Sequence, residues 1–389
     1  MAERVGRPPT GLSVHVYPSP IEHETRILKV TKTMVTRSIA ERVLVVGTAK
    51  PGLAREVAID AARSVRRVGT TLSGERLAGR ILRFAEWSAR VFFLLRRQPV
   101  SMVNCHSLSV LPLCAALKWW HRSLLVYEPH ELETETETSV GLRRRLAKVV
   151  ERLLIGAADR LIVVSDSIAR EYARAYGLDG VVVVFNAPAL EPDGEPATNR
   201  SLRDRFGIPD NHLVFMFQGV FDEGRGVRTL VDAFRLLPPD RHLVLMGFGP
   251  LEEEVRTAAQ AHPNIHFLPA VPPESVAHHT RGADVGFALL VDNCLNHRCA
   301  LPNKFFHYLH AGLPVIVSDL PEMGAVVERY ACGWRVGGDV ASVAAVVASI
   351  GPADLAPRRA GARRGREAFN WDREENKLVA TYDALLSRG

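Results

Sequence analysis

Short runs of β-branched and aliphatic residues alternate with stretches of helical period along almost the whole chain, and the alternation breaks once, at a proline-rich segment. Val43 to Gly47, Val100 to Cys105, Ser123 to Tyr127, Arg160 to Ser165 and Val181 to Phe185 form a first series of such runs. A second series is Leu213 to Gln218, His242 to Met246, Ile265 to Leu268, Val285 to Ala288 and Pro314 to Ser318. Near-continuous apolar runs separated by helices are the signature of parallel strands buried on both faces. The helical stretch Leu142 to Ala157 places Leu146, Val149, Val150 and Leu153 on one side, which predicts a helix packed through that side.

Between the two series lies Ala187-Pro188-Ala189-Leu190-Glu191-Pro192-Asp193-Gly194-Glu195-Pro196, which continues neither a strand nor a helix. The expected organisation is an N-terminal domain over 1–188, a linker over 189–200 and a C-terminal domain over 201–370. A closing helix, 371–389, carries Leu378, Tyr382, Leu385 and Leu386 at helical spacing and is expected to pack back on the first domain. With 389 residues, two cores of ordinary size are the natural division. Ligands of doubly wound sheets bind beyond the carboxyl ends of the strands, so two such sheets facing each other would define a central cleft.

Composition removes several classes. Apolar residues make up 47% and charged residues 24%, values of a globular protein. The net charge of +6 is carried mainly by arginine, densest at Arg63, Arg66, Arg67 and at Arg143, Arg144, Arg145. Both groups read as helix faces. Such faces are ordinarily solvated, and a peripheral contact with an anionic lipid surface stays open. Aromatic and basic residues do not interleave, which excludes nucleic acid as a partner. An odd set of cysteines, Cys105, Cys114, Cys294, Cys299 and Cys332, suggests free thiols and a cytoplasmic location. No apolar run reaches about 18 residues. Frequent arginine, alanine and valine point to a GC-rich bacterial source.

Three segments carry chemistry. Phe217 to Gly226 ends a strand, turns on Gly219, Gly224 and Gly226 and leads into a helix near Val227, with Arg225 in the turn. Glycines admit a phosphate close to backbone amides, and a guanidinium adds bidentate positive charge. Leu245 to Pro250 repeats the design with Gly247 and Gly249, without the third glycine and acidic partner of a dinucleotide fingerprint. In Ala300 to Asp319, Pro302 suits the first helical position and Gly312 the residue that closes the helix. Amides at Leu301 and Asn303, on either side of Pro302, would thus open a helix N-terminus suited to an anion, with Lys304 and His307 on its first turns. A zinc reading of Cys294, His297, Cys299, His307 and His310 fails on spacing, and no metal is expected.

These segments resemble the retaining glycosyltransferase family 4, whose members have the GT-B fold of two Rossmann-like domains. Leu301-Pro302-Asn303-Lys304, then Ala311-Gly312-Leu313-Pro314-Val315-Ile316 and Asp319, is similar to the family's donor-site helix and following strand. Arg225 resembles its basic residue on the donor phosphates, usually a lysine. Val126 to Glu133 resembles the strand end whose histidine, here His130, faces the sugar. Asn104-Cys105-His106 and Asn186-Ala187-Pro188 agree with it.

The resemblance implies transfer of a sugar from a nucleoside diphosphate donor to an acceptor, with retention and without metal or cofactor, in bacterial glycan or specialised-metabolite biosynthesis. It implies catalytic roles for His130 and Arg225. Donor binding would fall to Gly219, Val220, Arg225, Gly247, Gly249, Val271, Cys299, Leu301, Pro302, Asn303, Lys304 and His307. The acceptor side would hold Glu24, His106, Glu131 and Asn186. A homodimer stays open. Three departures stand out: Cys299 and His307 replace two family glutamates, Val220 replaces an arginine, and the turn from Ser19 to Arg26 lacks a glycine pair. They leave two other readings standing, a catalytically silent nucleotide-binding subunit and a nucleotide-sugar epimerase of the same fold.

Overall fold

The computed structural model describes residues 10–22, 24–74, 76–190 and 200–387. Most of the expected linker, including Glu191 to Pro196, lies outside them, as do the last residues of the expected 371–389 segment. The chain divides into two compact units. The first runs through Val184 and takes back the chain from Glu375, and the second is Phe185–Glu374.

The first unit contains, in order, β1 (Thr10–Val16), α1 (Thr25–Thr36), β2 (Ala40–Thr48), β3 (Glu56–Ala58), β4 (Arg63–Val68), α2 (Leu77–Leu95), β5 (Val100–Cys105), α3 (Leu111–His121), β6 (Leu124–Tyr127), α4 (Gly141–Leu154), β7 (Arg160–Val163), α5 (Asp166–Tyr176) and β8 (Val182–Val183). Its strands form one sheet in the order β3-β4-β2-β1-β5-β6-β7-β8, parallel except for the β3–β4 edge pair. The second unit contains α6 (Ser201–Phe206), β9 (Leu213–Val220), α7 (Val227–Arg235), β10 (Arg241–Phe248), α8 (Glu252–Ala261), β11 (Ile265–Pro269), α9 (Pro273–Thr280), β12 (Val285–Ala288), α10 (Leu295–Cys299), α11 (Asn303–His310), β13 (Val315–Ser318), α12 (Pro321–Tyr330), β14 (Gly333–Val336), α13 (Val340–Ser349) and α14 (Pro352–Ala368). Its sheet is wholly parallel in the order β11-β10-β9-β12-β13-β14. The last helix, α15 (Trp371–Leu386), begins in the second unit and ends in the first. There Leu378 and Tyr382 are fully buried, and the Tyr382 hydroxyl donates to Asn104 Oδ1 at 2.7 Å.

Two expectations about basic residues and helix faces need correction. Arg63, Arg66 and Arg67 lie on β4, not on a helix. Arg67 is buried, and its guanidinium donates to the carbonyls of Ala54 at 2.7 Å and Ile21 at 2.9 Å and to that of Pro20, so it ties loops to the sheet. On α4 the expected side points outward except at Val150: Leu146 is 56%, Val149 54% and Leu153 74% exposed, with Leu142 at 70% beside them, whereas Val150 is half-buried.

What α4 turns inward is Glu151, 1% exposed. Its carboxylate accepts from the hydroxyls of Tyr127 at 3.0 Å, Tyr172 at 2.8 Å and Tyr176 at 2.5 Å. Three donors satisfy a buried anion that would otherwise be prohibitive. The helix is therefore anchored by a polar contact, and its hydrophobic period does not mark the core. Replacing Glu151 with Ala orphans three hydroxyls and should cost about 3 kcal/mol or more, whereas Leu146→Ala should change stability by less than about 0.5 kcal/mol. Urea unfolding of both variants checks the inversion; a larger loss for Leu146→Ala would refute it.

Candidate functional site

The second unit gathers its charge at the carboxyl edge of the sheet. β9 ends in Gly219 and Val220, a single 3₁₀ turn follows over Glu223–Arg225, and Gly226 adopts φ +67° before α7 begins. α11 starts next to this turn with Pro302 as its N-cap residue, one position earlier than the sequence suggested. Gly286 on β12 allows that approach, because a β-carbon there would stand 2.3 Å from the Tyr308 ring of α11.

Lys304 occupies the first turn of α11 and is 6% exposed. Its Nζ lies 3.5 Å from the centre of the Phe217 ring, close to Gly219, and has no hydrogen-bond partner among the described residues. Burial lowers its pKa well below the ordinary lysine value, and the nearby Arg225 lowers it further while Asp222 opposes the shift. The positive end of the α11 dipole acts in the same direction. Arg225 is half-exposed and donates from Nε to Asp222 Oδ2 at 3.1 Å, leaving Asp222 Oδ1 unpartnered. Two cations and a helix N-terminus thus converge on a place that holds no anion of the protein beyond Asp222.

The remaining expected donor residues separate. Gly247 and Gly249 serve the chain itself: a β-carbon at Gly247 would stand 1.9 Å from the Gly219 carbonyl oxygen, and one at Gly249 would stand 2.6 Å from that of Phe221. Their freedom lets β10 close on the end of β9. Cys299 is buried at the end of α10, Leu301 is buried, and Val271 stands two residues past β11 at the same carboxyl edge. Asn186, expected on the acceptor side, belongs to the second unit and donates to Asn303 Oδ1 at 2.9 Å. His307 Nδ1 lies 3.0 Å from Gln218 Nε2, and Gln218 Oε1 accepts from Thr280 at 2.7 Å.

In the first unit, His15, His106 and His130 form a file. His15 Nδ1 is 2.8 Å from His106 Nε2, and His106 Nδ1 is 3.3 Å from His130 Nε2. Burial lowers His106 and His130 each to about 3 and His15 well below its usual value. Beside them Glu128 is fully buried and pairs through Oε1 with Arg26 Nε at 2.6 Å. Potential ligand atoms of His106, Glu128 and His130 lie within 4.8 Å of one another. The Arg26 guanidinium beside Glu128 adds to the burial that keeps these imidazoles neutral. Tyr17 packs 5.4 Å from His130, centre to centre.

Glu24 caps α1 and accepts from Ser19, and Glu131 is exposed. Glu133 accepts from Ser107 Oγ and Leu108 N at 2.7 Å, and burial raises it to about 7. The five cysteines are free, and those considered for zinc find other surroundings: His297 sits 2.7 Å from the Val291 carbonyl and His310 2.7 Å from that of Phe369.

Residues 24–190 match the model described as Glycosyltransferase Family 4, and residues 212–350 match that of glycosyl transferases group 1. The chain thus carries a Glycosyltransferase Family 4 domain followed by a glycosyl transferases group 1 domain. Over 284 residues it is 27% identical to the D-inositol 3-phosphate glycosyltransferase of Geodermatophilus obscurus, covering 67% of this chain and 61% of that protein. The match therefore spans about three fifths of that relative. Among solved structures, this chain is similar to Anabaena Alr3699/HepE in complex with UDP-glucose, with TM-score 0.74 and 14% identity over 96% of this chain and 99% of that one. It is also similar to sucrose-phosphate synthase of Thermosynechococcus elongatus, with TM-score 0.77 and 16% identity over 98% and 100% of the two chains. At such identities the likeness establishes the GT-B fold of both parallel-sheet units.

The buried charges set the pH dependence of stability. Lys304 has a folded pKa below the unfolded value of about 10.4, so the unfolded chain binds its proton more tightly and ligand-free stability rises with pH toward that value. Lys304→Met should raise the ligand-free melting temperature at pH 7, by about 2–4 °C for each kcal/mol gained, and flatten the rise. The histidines work at lower pH: with folded values of about 3 for His106 and His130, stability is full above about pH 6.5 and falls as pH drops below it. Glu133, raised to about 7, opposes the fall as a single group against three rings. Melting curves between pH 7 and 5 should show a net loss, and an unchanged melting temperature would contradict the neutral file.

Proposed function

We propose that the chain transfers a sugar from a nucleoside diphosphate donor to an acceptor, with retention of configuration and without a metal. The observation that carries this reading is the buried, unpartnered ammonium of Lys304 beside Arg225 at the start of α11. A diphosphate supplies the missing anion, and its arrival would favour the charged form of Lys304 that burial disfavours. When the bond between the anomeric carbon and the diphosphate oxygen breaks, negative charge grows on that oxygen. Donors already in place stabilise it without reorganisation, and this is the strongest source of rate acceleration open to such a site. Neutral His130 on the first unit would accept or donate a hydrogen bond to the sugar or acceptor without adding charge. UDP-glucose, bound by the Anabaena neighbour, is the first donor to try.

Retention requires the acceptor to approach the face from which the diphosphate leaves, so a proton must pass from acceptor to leaving group on that side. The oxygens near Lys304 and Arg225 are its natural destination, and no protein base is needed. A bacterial, cytoplasmic pathway to a glycan or specialised metabolite fits this chemistry.

A second reading, a silent nucleotide-binding subunit, is favoured by His307. Its Nδ1 is engaged by Gln218, which sets an imidazole where the family has a carboxylate. Turnover separates the two. With an active donor, Arg225→Ala should lower turnover at saturating donor by more than tenfold, and Lys304→Ala by roughly a hundredfold. Nucleotide sugars that raise the melting temperature but give no transfer to any acceptor would favour the silent subunit, and isomerised donor without acceptor would favour an epimerase.

A further inference from the structure

The geometry points to the α2–α3–α4 side of the first unit as a surface that docks on an anionic lipid bilayer. α4 shows Val140, Leu142, Leu146, Val149 and Leu153 to solvent, each more than half exposed. Neighbouring α2 exposes Leu77, Ile81, Leu82 and Phe93, and α3, which packs against both, ends in Trp119 and Trp120, 62% and 58% exposed. Contiguous apolar surface on this scale marks an interaction site. A run of helix-borne leucines with tryptophans beside it suits the boundary between headgroups and acyl chains.

Charge selects the occupant. α4 carries Arg143, Arg144, Arg145, Lys148 and Arg152 around its apolar stripe, and its one acid, Glu151, is buried on the opposite side. Glu135 answers Arg144 and Lys148, while Arg143 and Arg145 enter no ion pair among the described residues. On α2, Arg80 and Arg83 flank Ile81 and Leu82, and Glu86 is taken by Arg90. A second copy of the chain would set two such cationic helices against each other, whereas an anionic leaflet neutralises them. Arg80, Arg83 and Arg143 also line a cavity of about 820 Å³ whose walls include Leu77, Ile81 and Trp87, so the surface continues inward as a mixed apolar and cationic recess. Among the described residues no single helix is long and apolar enough to cross a membrane, so the contact lies in the interface plane.

The test uses the full chain in co-sedimentation with vesicles of phosphatidylcholine alone and of phosphatidylcholine mixed with phosphatidylglycerol. Binding should require the anionic lipid, weaken with salt and shift Trp119/Trp120 fluorescence to the blue. The double variant Arg143→Glu/Arg145→Glu and the triple variant Leu142→Gln/Leu146→Gln/Leu153→Gln should each lower partitioning roughly tenfold or more. All five positions are exposed, so circular dichroism and melting temperature should stay at wild-type values. Equal partitioning into neutral and anionic vesicles, or unchanged binding by both variants, overturns the proposal. So does a wild-type dimer in light scattering that the triple variant splits without any lipid effect.

Discussion

A lysine ammonium buried without a partner is the constraint around which the second unit is organised. Three influences act against the charged state of Lys304: loss of water, the guanidinium of Arg225 and the positive end of α11. Only the face of Phe217 and the carboxylate of Asp222 act for it. Polar groups buried in this way are rare in folded proteins and mark places where local stability is subordinated to binding. The surrounding scaffold is correspondingly rigid. Gly247 and Gly249 let β10 close on β9, Gly286 lets Tyr308 seat α11 against β12, and the Tyr308 hydroxyl links the Gln218 amide to the Met216 carbonyl. The strand end and the helix start are thereby fixed relative to each other, and the cations cannot relax apart.

The first unit meets the opposite requirement, polar groups that stay neutral. His15 and Ser13 lie on β1, in the middle of the sheet, where the apolar alternative would pack more cheaply. They are tolerated because each has a partner: Ser13 Oγ accepts from Asn104 Nδ2 at 3.0 Å, and His15 meets His106. Arg26 and Glu128 form a buried pair whose charges cancel, and the guanidinium also donates to the Val184 carbonyl at 2.7 Å. A connected network of this kind specifies one arrangement of the carboxyl edge, since any single displacement leaves a buried group unsatisfied.

These two networks explain what was legible in the sequence. Val285–Ala288 is apolar throughout, Val100–Cys105 is apolar but for Ser101 and Asn104, and both fall within the expected limits. β1 reads TGLSVHV, and its serine and histidine break the pattern although both are buried, so periodicity does not reveal it. The charged carboxyl edge of the second unit was visible as Arg225 and the Leu301–Lys304 segment, because turn glycines, a proline cap and a strand end leave local traces. Gln218, Thr280, Arg26 and Glu128 leave none, since their roles come from partners distant in sequence. The difference between Glu133 and Glu131 lies only in which side of the loop meets Ser107 and the Leu108 amide.

α4 shows the limit of amphipathic reasoning most directly. A stripe at 142, 146, 149 and 153 establishes that one side of the helix is apolar, and nothing in the period says whether that side meets protein or something else. The orientation is decided by the opposite side, where Ala147, Val150, Glu151 and Leu154 are half-buried or buried. Turning the helix to bury the leucines would require Arg143 and Arg152 to follow them toward the sheet, and Glu151 would leave three tyrosine hydroxyls behind. The buried carboxylate is therefore cheaper to keep than the leucines are to hide. Such an exposed stripe persists in a chain only where the energy lost in water is recovered elsewhere, and the arginines beside it define the sign of the surface that can recover it.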